Sequence, residues 1–539
     1  MKIYKIFILM FVLFLSSCES LQLDLQNDPN NLTLDQSSPD FLLNGVQIDF
    51  RDLMSSFNGS TLGVMRYHSQ FGTYANSVDN LTLNGVWSTA YRLRSNVALI
   101  KDIADSDPKF AKHYAIARIL EAYLFATFTD FVGDIPFEQA NNPIDFPNPE
   151  VSLGEDIYDA LFIQIDEAIA LLNTPSTEPV NDLFFDNGDV TNWTKVANTL
   201  KFKMYLNLRL TNPTAATSGI TNLINTASLI ESANDDFQFQ YSNSSSPVES
   251  RHPLFRRGYL PGGATGYMSN GYMNLLINGK SNPDPRLRYY IYRQADRDPD
   301  EVNNAELPCS VSPNPNFVYC YLGNFYWGRD HASTSGIPAD GILRSVYGIY
   351  PAGGAFDDDS AIEASLNEGL QGAGILPILS SSYMKFMQAE AALMLGTPGN
   401  AASLLVDGIT NSMDKVTNFA SVPATFAATP ADIQTYINEV SLEYTNAADN
   451  DERLNIIMRE YYLASFGYAI EAYNGYRRTG FPQSSALAGF PMQDPVEITT
   501  GFPRNFRYAR DAVLSNTSLD DNTVFDKVFW DNNPDGFIE

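Results

Sequence analysis

One short segment gathers most of the side chains whose chemistry suits ligand binding. Within the Gly- and Ser-rich stretch 325–359, Tyr326 and Trp327 stand beside Arg329, Asp330 and His331. Flat aromatic rings bury the apolar C–H faces of sugars, while neighbouring charged and amide groups hydrogen-bond the hydroxyls. This mixture is typical of a carbohydrate site, so these five residues are the first candidates for ligand contacts.

Four further aromatic residues stand in Gly- and Asn-rich surroundings and are also predicted to contact ligand: Tyr74, Trp87, Tyr267 and Tyr272. Each candidate ring has a competing role, because buried aromatic side chains often anchor loops by packing against the core. The sequence leaves both roles open for every candidate.

The residue types used in known catalytic and metal sites are not spaced for such chemistry. The four histidines, at 68, 113, 252 and 331, form no HExxH or other metal-spaced pair, and no GxSxG motif occurs. Segment 274–281 (NLLINGKS) has asparagine where a phosphate loop requires its first glycine. We therefore predict a non-catalytic protein with no cofactor, no metal and no catalytic residue.

An enzyme that acts on surface glycans is the alternative, because 63 acidic residues leave room for the paired carboxylates of a glycosidase. Two acidic segments are interpreted as turns in preference to cation sites: 531–536 (DNNPDG), and 357–359 as a solvated turn.

The N-terminus carries the features of a secretory signal. Two lysines within residues 1–5 precede ten apolar residues, 6–15, and a membrane-spanning helix needs about 20. The tetrapeptide Leu-Ser-Ser-Cys at 15–18 resembles a bacterial lipobox, so residues 1–17 are predicted to be a lipoprotein signal peptide and Cys18 to be lipidated. An ordinary signal peptide with an incidental cysteine is the alternative. Residues 18–40 are interpreted as the lipidated N-terminus with a polar tether, and 41–539 as the folded domain.

The two remaining cysteines, Cys309 and Cys320, are a disulfide candidate, because a secreted chain meets a compartment that permits disulfides. Two free thiols are the other possibility.

Composition and charge narrow the ligand class. The chain is 44% apolar and 18% charged, which is typical of a globular protein. Its net charge of -29 becomes -31 when Lys2 and Lys5 leave with the signal. Such a surface repels polyanions, so we exclude nucleic acids as partners and favour a neutral glycan over an anionic one.

Hydrophobic repeats with the 3.6-residue period predict a mainly helical domain. Asp107 and Pro108 are expected to begin a helix that ends before Gly133, and Ser152 with Glu155 has the spacing of a capping box for the next one. These two helices are expected to pack as an antiparallel pair. Further helices are predicted at 193–210, 382–395, 401–413 and 452–478, with Pro213 ending the first of them.

Residues 212–379 differ from the rest of the chain. Gly, Pro, Asn, Ser and Tyr dominate there, and helical periodicity is poor. We interpret this range as an ordered, loop-rich insertion that forms a ligand-binding lobe on a helical scaffold.

Six segments in a fixed order, together with the lipobox, resemble the SusD/RagB family of nutrient-binding outer-membrane lipoproteins of Bacteroidetes-type bacteria, in its SusD-like branch. They are 120–140 (LEAYLFATFTDFVGDIPFEQA), 193–210 (WTKVANTLKFKMYLNLRL), 282–292 (NPDPRLRYYIY), 381–396 (SSYMKFMQAEAALMLG), 466–482 (FGYAIEAYNGYRRTGFP) and 503–512 (PRNFRYARDA). Together they reach across nearly the whole mature chain.

The resemblance implies a mainly α fold, a tetratricopeptide-like helical superhelix with long irregular loop insertions that form a binding lobe. It also implies a function: capture of oligosaccharides or polysaccharides and their delivery to a SusC-like TonB-dependent transporter. The protein would then be lipid-anchored in the outer membrane and exposed at the cell surface. Some relatives are thought to bind peptides or other nutrients, so a peptide ligand stays open. The motif residues are expected to stabilise turns and helix ends: Gly133, Asp134, Pro136, Arg477, Arg478, Thr479 and Gly480.

Overall fold

The computed structural model describes residues 38–538 except 71, 73, 75–77, 177, 260–265, 297–318, 320, 333–340, 361, 484–500 and 536. Cys18, Cys309 and Cys320 lie outside the described residues, so lipidation and the disulfide stay predictions.

Helices dominate the described residues, which confirms the mainly α prediction. The helices are α1 (Pro39–Val64), α2 (Asn84–Ser106), α3 (Ala111–Val132), α4 (Gly154–Leu172), α5 (Val190–Asn207), α6 (Pro213–Thr226), α7 (Pro253–Gly258), α8 (Asn270–Asn278), α9 (Leu287–Tyr290), α10 (Ser381–Leu395), α11 (Ala401–Thr417), α12 (Pro430–Asn446), α13 (Asn450–Ala464), α14 (Ala469–Thr479) and α15 (Arg510–Ser515). Short strands pair antiparallel: β1 (Ile135–Pro136) with β2 (Val151–Ser152), β3 (Phe237–Gln240) with β6 (Ile375–Leu379), and β4 (Ile291–Tyr292) with β5 (Val346–Tyr347).

Helices α3 and α4 form the antiparallel pair expected from the sequence. Apolar residues at helical spacing along α4 are buried: Ile157, Leu161, Ile165, Ala168 and Leu172. Asp130 near the end of α3 bonds Tyr158 in the first turns of α4, and Glu121 earlier in α3 bonds Gln164 later in α4. Helices α3 and α4 therefore run in opposite directions.

A buried carboxylate, Asp130, ties this pair to the rest of the helical body. Its Oδ1 accepts hydrogen bonds from the Tyr158 hydroxyl at 2.5 Å and from Trp530 Nε1 at 2.8 Å. Its Oδ2 accepts from Asn207 Nδ2 at 3.2 Å and Asn474 Nδ2 at 2.9 Å. One side chain thereby joins α3, α4, α5, α14 and the C-terminal segment, so the end of α3 has a fixed place in the core.

The prediction of one long helix at 452–478 is wrong. The chain breaks between α13 and α14, where Ser465–Gly467 form a short 3-10 turn. The Asn58 side chain hydrogen-bonds the backbone at the break. Its Nδ2 donates to the Gly467 carbonyl at 3.1 Å, and its Oδ1 accepts from Ala469 N–H at 2.8 Å. A Cβ on Gly467 would come within 2.6 Å of the Tyr350 ring, which explains the glycine. These contacts come from distant parts of the chain and are invisible to local periodicity.

Three tyrosine hydroxyls satisfy carbonyls at the same break. Tyr67 donates to the Tyr462 carbonyl at 2.7 Å, Tyr272 to the Leu463 carbonyl at 3.1 Å, and Tyr347 to the Phe466 carbonyl at 2.7 Å. The last carbonyls of a helix have no partner within it, so these phenols complete the hydrogen bonding of the end of α13.

Two local predictions are also corrected. Ser152 does not cap α4, because it lies in β2, where its hydroxyl accepts from Glu138 N–H at 3.3 Å. Pro213 begins α6 and does not merely end α5, since Asn212 Oδ1 caps the new helix by accepting from Ala215 N–H at 3.1 Å. Proline at the first helical position needs no N–H partner.

The range 212–379 contains more regular structure than its composition predicts. Besides α6 it holds α7, α8, α9 and the strands β3, β4, β5 and β6. These elements are short, and β3 and β6 join the beginning and end of the range.

No helix in the described part of the chain combines the length and apolar character needed to cross a bilayer.

An ionic cluster around Glu460 of α13 joins the segment between α8 and α9 to α12. Glu460 lies 3.0 Å from Lys280 Nζ, 3.0 Å from Arg459 Nη2 and 3.8 Å from Arg286 Nη2, and it accepts from the Tyr436 hydroxyl at 2.7 Å. Burial alone would raise the pKa of this carboxyl. Its three cationic neighbours outweigh burial and lower the pKa to about 2.

This lowered pKa predicts acid sensitivity with a definite sign. The ordinary pKa of Glu is about 4.3, so the stabilisation by Glu460 is complete above that pH and is lost as pH falls towards about 2. We expect Glu460→Gln to lower the free energy of unfolding at neutral pH by about 3–5 kcal/mol, since it leaves buried cations uncompensated. The variant should also flatten the pH dependence below about pH 5.

Urea unfolding over a pH series measures both effects. Glu443→Gln is the matched control, because Glu443 also pairs with Arg459 but is 38% exposed. Parallel pH curves for wild type and Glu460→Gln would contradict the assignment.

Candidate functional site

The structure brings most of the predicted ligand residues together, but buries them. We call this cluster the aromatic junction; it comprises Tyr74, Tyr267, Tyr272, Tyr326, Trp327, Arg329, Asp330 and His331. Each of these side chains is at most 5% exposed. Their role in ligand binding stays a prediction. The contacts described below join these residues to other parts of the protein.

The hydrogen bonds of the aromatic junction show what it joins. Arg329 N–H donates to the Met268 carbonyl and Asn270 N–H to the Arg329 carbonyl, both at 2.9 Å, while Asn270 Nδ2 donates to Asp330 Oδ1 at 2.8 Å. The Trp327 ring lies 4.7 Å from the Arg344 guanidinium. These bonds attach segment 326–332 to the start of α8.

His331 is part of the same packing. Its ring lies 5.1 Å from the Tyr74 ring, whose hydroxyl accepts from Arg66 Nε at 2.9 Å. Burial lowers the pKa of His331 well below the ordinary histidine value, and the nearby Arg66 lowers it further. The imidazole is therefore neutral at physiological pH.

The remaining candidate, Trp87, lies in a different place and is only partly buried. It lines a cleft of 1010 Å³ between the first turns of α2, the loop between β1 and β2, and the segment 509–519 that contains α15. We call it the Trp87 cleft. Its apolar lining consists of rings and prolines: Trp87, Tyr91, Phe146, Pro136, Pro143 and Pro147. Its polar lining consists of amides and hydroxyls: Asn84, Asn141, Asn142, Asn516, Ser88 and Ser515.

The base of the Trp87 cleft is set by the end of α3. Gly133 leaves the helix with φ +83°, a backbone conformation that favours glycine, and the chain enters β1. Asp134 Oδ1 accepts from Gly154 N–H at 2.7 Å, and the Asp134 carbonyl accepts from the Tyr508 hydroxyl at 2.6 Å. The expectation that Gly133 and Asp134 stabilise turns and helix ends is thereby confirmed.

One wall is the loop 137–150, which we call the arm. Its base closes through the β1–β2 pair, in which Ile135 faces Ser152. Asn141, at φ 62°, donates through Nδ2 to the Tyr91 carbonyl and to Ser95 Oγ, both at 2.7 Å. The C-terminal end of the arm is held by Asn516, whose Nδ2 donates to the Pro149 carbonyl at 2.8 Å. The arm is thus fastened to α2 on one side and to the C-terminal segment on the other.

The ring of Trp87 is held in a fixed orientation. Phe128 and Tyr508 approach it edge-on, with centroids 5.0 and 5.9 Å away at interplanar angles of 80° and 85°. Tyr91 beside it donates its hydroxyl to the Pro136 carbonyl at 2.7 Å. Burial raises the pKa of Tyr91, so this phenol stays protonated. A rigid ring at the wall of a cleft suits stacking, because the ligand does not have to order it.

The electrostatics of the Trp87 cleft are simple. Asp511 of α15 is the single acid among the described residues that line it, and no lysine, arginine or histidine is among them. Among the described residues no group of three or more His, Cys, Asp or Glu side chains is placed to hold a metal ion.

The two acidic segments make protein contacts. Asp531 is buried and pairs with Arg504, Nε to Oδ2 at 2.8 Å. Asp357, interpreted from sequence as a solvated turn, is also buried, and it pairs with Arg293, Nε to Oδ2 at 2.7 Å. The interpretation of Asp357 as solvated is wrong, because a guanidinium that is distant in sequence covers it.

Sequence reasoning missed most of the Trp87 cleft. The run NNPIDFPNP at 141–149 carries clear loop signals and could have drawn attention to the arm. No local sequence pattern indicates that residues 509–519, near the C-terminal end of the domain, line the other side of the cleft.

Two family models match the sequence. Residues 29–307 match a model described as starch-binding and associating with the outer membrane, and residues 358–525 match the SusD and RagB outer-membrane lipoprotein model. A search of curated proteins found no match.

Solved structures share the fold over almost the whole chain at low identity. A SusD-like protein from Bacteroidetes is 16% identical with a TM-score of 0.67, covering 92% of this chain and 100% of its own. A SusD homologue from Bacteroides fragilis is 16% identical with a TM-score of 0.66, covering 93% and 100%. A chitin-binding SusD homologue from Flavobacterium johnsoniae is 19% identical with a TM-score of 0.60, covering 92% and 99%. These matches confirm the predicted fold class, a mainly α architecture of tetratricopeptide-like type.

The fastening of the arm predicts the effect of a single substitution. Asn141→Ala removes two hydrogen bonds and places alanine at positive φ, so we expect a loss of about 1–3 kcal/mol in stability. Amide hydrogen exchange in residues 138–149 should accelerate. Asn142→Ala is the control, because the Asn142 side chain bonds only locally, to Asp145. Equal exchange rates in wild type and Asn141→Ala would contradict the proposed fastening.

Proposed function

Because the chain belongs to the SusD/RagB family of outer-membrane lipoproteins, we propose that it is a non-catalytic receptor that captures oligosaccharides at the outer membrane. The observation that carries the proposal is the Trp87 cleft, whose lining combines a fixed aromatic ring with amides and hydroxyls. The volume of 1010 Å³ is at the upper end of ordinary ligand pockets, as an oligosaccharide requires.

The chemistry of the lining supports a sugar. Trp87, Tyr91 and Phe146 offer apolar surface for the C–H faces of the rings, and the prolines beside them add rigid apolar area. Asn142 and Asn516 each use part of their amide within the protein and retain further donor or acceptor capacity for hydroxyls. The absence of cations among the described lining residues favours a neutral ligand over an acidic one.

The same lining supports binding without cleavage. Hydrolysis of a glycosidic bond ordinarily uses two carboxylic acids on opposite sides of the scissile bond. The described lining of the Trp87 cleft contains one, Asp511. We therefore propose that the ligand leaves intact and passes to a SusC-like TonB-dependent transporter, the partner implied by the family.

Calorimetric titration against an oligosaccharide panel tests the proposal. Chitin and starch oligosaccharides head the panel, since one structurally similar protein is chitin-binding and one matching family model is described as starch-binding. We expect Phe146→Ala to weaken binding about five- to tenfold, because it removes a ring that lines the cleft and is 40% exposed. Phe525→Ala is the matched control, since Phe525 is 56% exposed and lies outside the cleft.

Two outcomes would contradict the site. Binding unchanged in Phe146→Ala would exclude the Trp87 cleft. Loss of binding in Trp327→Ala at unchanged thermal stability would place the site at the aromatic junction. Chromatography of the incubated oligosaccharides detects cleavage, and peptides in the same panel test the other ligand class.

The anchor is tested separately. We expect Cys18→Ser to move the protein from the membrane fraction to the soluble fraction, because acyl chains supply the membrane affinity at roughly 0.8 kcal/mol per buried CH₂. Cys320→Ser is the control, since it changes the same atom elsewhere in the chain. Protease treatment of intact cells reports surface exposure, and mild-detergent purification reports a co-purifying transporter. Retention of Cys18→Ser in the membrane fraction would overturn the lipid anchor.

A further inference from the structure

The Trp87 cleft contains one acidic side chain, to which the proposed stacking of a sugar assigns no role. Asp511, in the first turn of α15, lines the cleft and is exposed. Its backbone N–H donates to Asn84 Oδ1 at 3.3 Å, which places the residue at the junction of α15 with the start of α2.

The carboxylate of Asp511 makes no hydrogen bond or ion pair with any described residue. Two other acids at the surface do have cationic partners: Asp49 pairs with Arg92 at 2.7 Å, and Asp521 pairs with Arg507. A free carboxylate in a cleft whose described lining has no cation retains its full capacity to accept hydrogen bonds from a ligand.

The surroundings strengthen the effect of this charge on a ligand. The chain as a whole carries a net charge of -29, so its field has the same sign as the charge of Asp511. A ligand with a positive group gains both from the field of the whole protein and from a directed contact at Asp511. A ligand with a negative group meets repulsion from both.

We propose that Asp511 sets the charge selectivity of the Trp87 cleft and gives it a preference for amine-bearing sugars over neutral ones. A protonated amine on a sugar ring donates to the carboxylate in a charge-assisted hydrogen bond while the ring stacks on the aromatic wall. Carboxylate- or sulfate-bearing sugars are rejected. This inference rests on the proposed function, since it assumes that the cleft binds a sugar.

Three oligosaccharides with one linkage and different charge test it. Cellotetraose, the glucosamine tetramer and the glucuronic acid tetramer differ only in one substituent per ring. In wild type we expect the glucosamine tetramer to bind about three- to fivefold more tightly than cellotetraose, the range of a partly exposed ion pair. The glucuronic acid tetramer should bind more weakly than cellotetraose. The preference should shrink between about 0.1 and 1 M salt, where the Debye length falls from ~10 to ~3 Å.

Asp511→Asn is the decisive variant, because it keeps the shape of the side chain and removes the charge. We expect the ratio of the two dissociation constants, cellotetraose to glucosamine tetramer, to fall to about one. Asp407→Asn is the matched control: it changes the net charge equally, on an exposed residue of α11 outside the cleft, and should keep the wild-type ratio.

The outcomes separate this inference from the proposed function. A wild-type ratio near one, an unchanged ratio in Asp511→Asn, or no binding of the glucosamine tetramer overturns the role of Asp511 and leaves neutral sugar binding standing. Failure of every oligosaccharide in the broader panel overturns both.

Discussion

The arrangement of four helices and the C-terminal segment depends on a single buried carboxylate. Asp130 accepts four side-chain hydrogen bonds from elements that lie up to 400 residues apart in sequence. Burial raises the pKa of this acid, while Lys203, the Tyr158 hydroxyl and Arg477 act to lower it. Without Asp130 each of these donors would be buried without an acceptor. An unpaired buried polar group costs about 1–3 kcal/mol. The network therefore specifies one arrangement of α3, α4, α5 and α14.

The geometry of the Trp87 cleft depends on that arrangement of helices. Asp130 lies in the last turn of α3, and Gly133 and Asp134 follow that helix directly, so the base of the arm starts from a fixed point. Phe128, on the same turns of α3, holds the Trp87 ring edge-on. The ring of Trp87, a residue that we propose to bind ligand, is thus positioned by a rigid helical scaffold, which lowers the ordering that a ligand must impose.

Aromatic residues divide into two groups in this protein. Tyr67, Tyr272 and Tyr347 bury their rings and use their hydroxyls to complete the end of α13, so they act within the fold. Trp87 and Phe146 keep part of their surface at the cleft. Composition alone cannot separate the groups, because a tyrosine suits a buried helix end as well as a sugar face. The distinction lies in which polar atom each ring meets in three dimensions.

The sequence by itself determined the mainly helical class, the α3–α4 pair and the family, because apolar periodicity and short motifs are local properties that survive without coordinates. It also singled out Trp87 as a candidate ligand residue. Only the tertiary structure decided that 452–478 is two helices, that Asp357 is covered by Arg293, and that Trp87 shares a cleft with Asn516 and Asp511. The reason is that Asn58, Arg293 and the segment 509–519 act on residues tens to hundreds of positions away, and no pattern within one segment records such a contact.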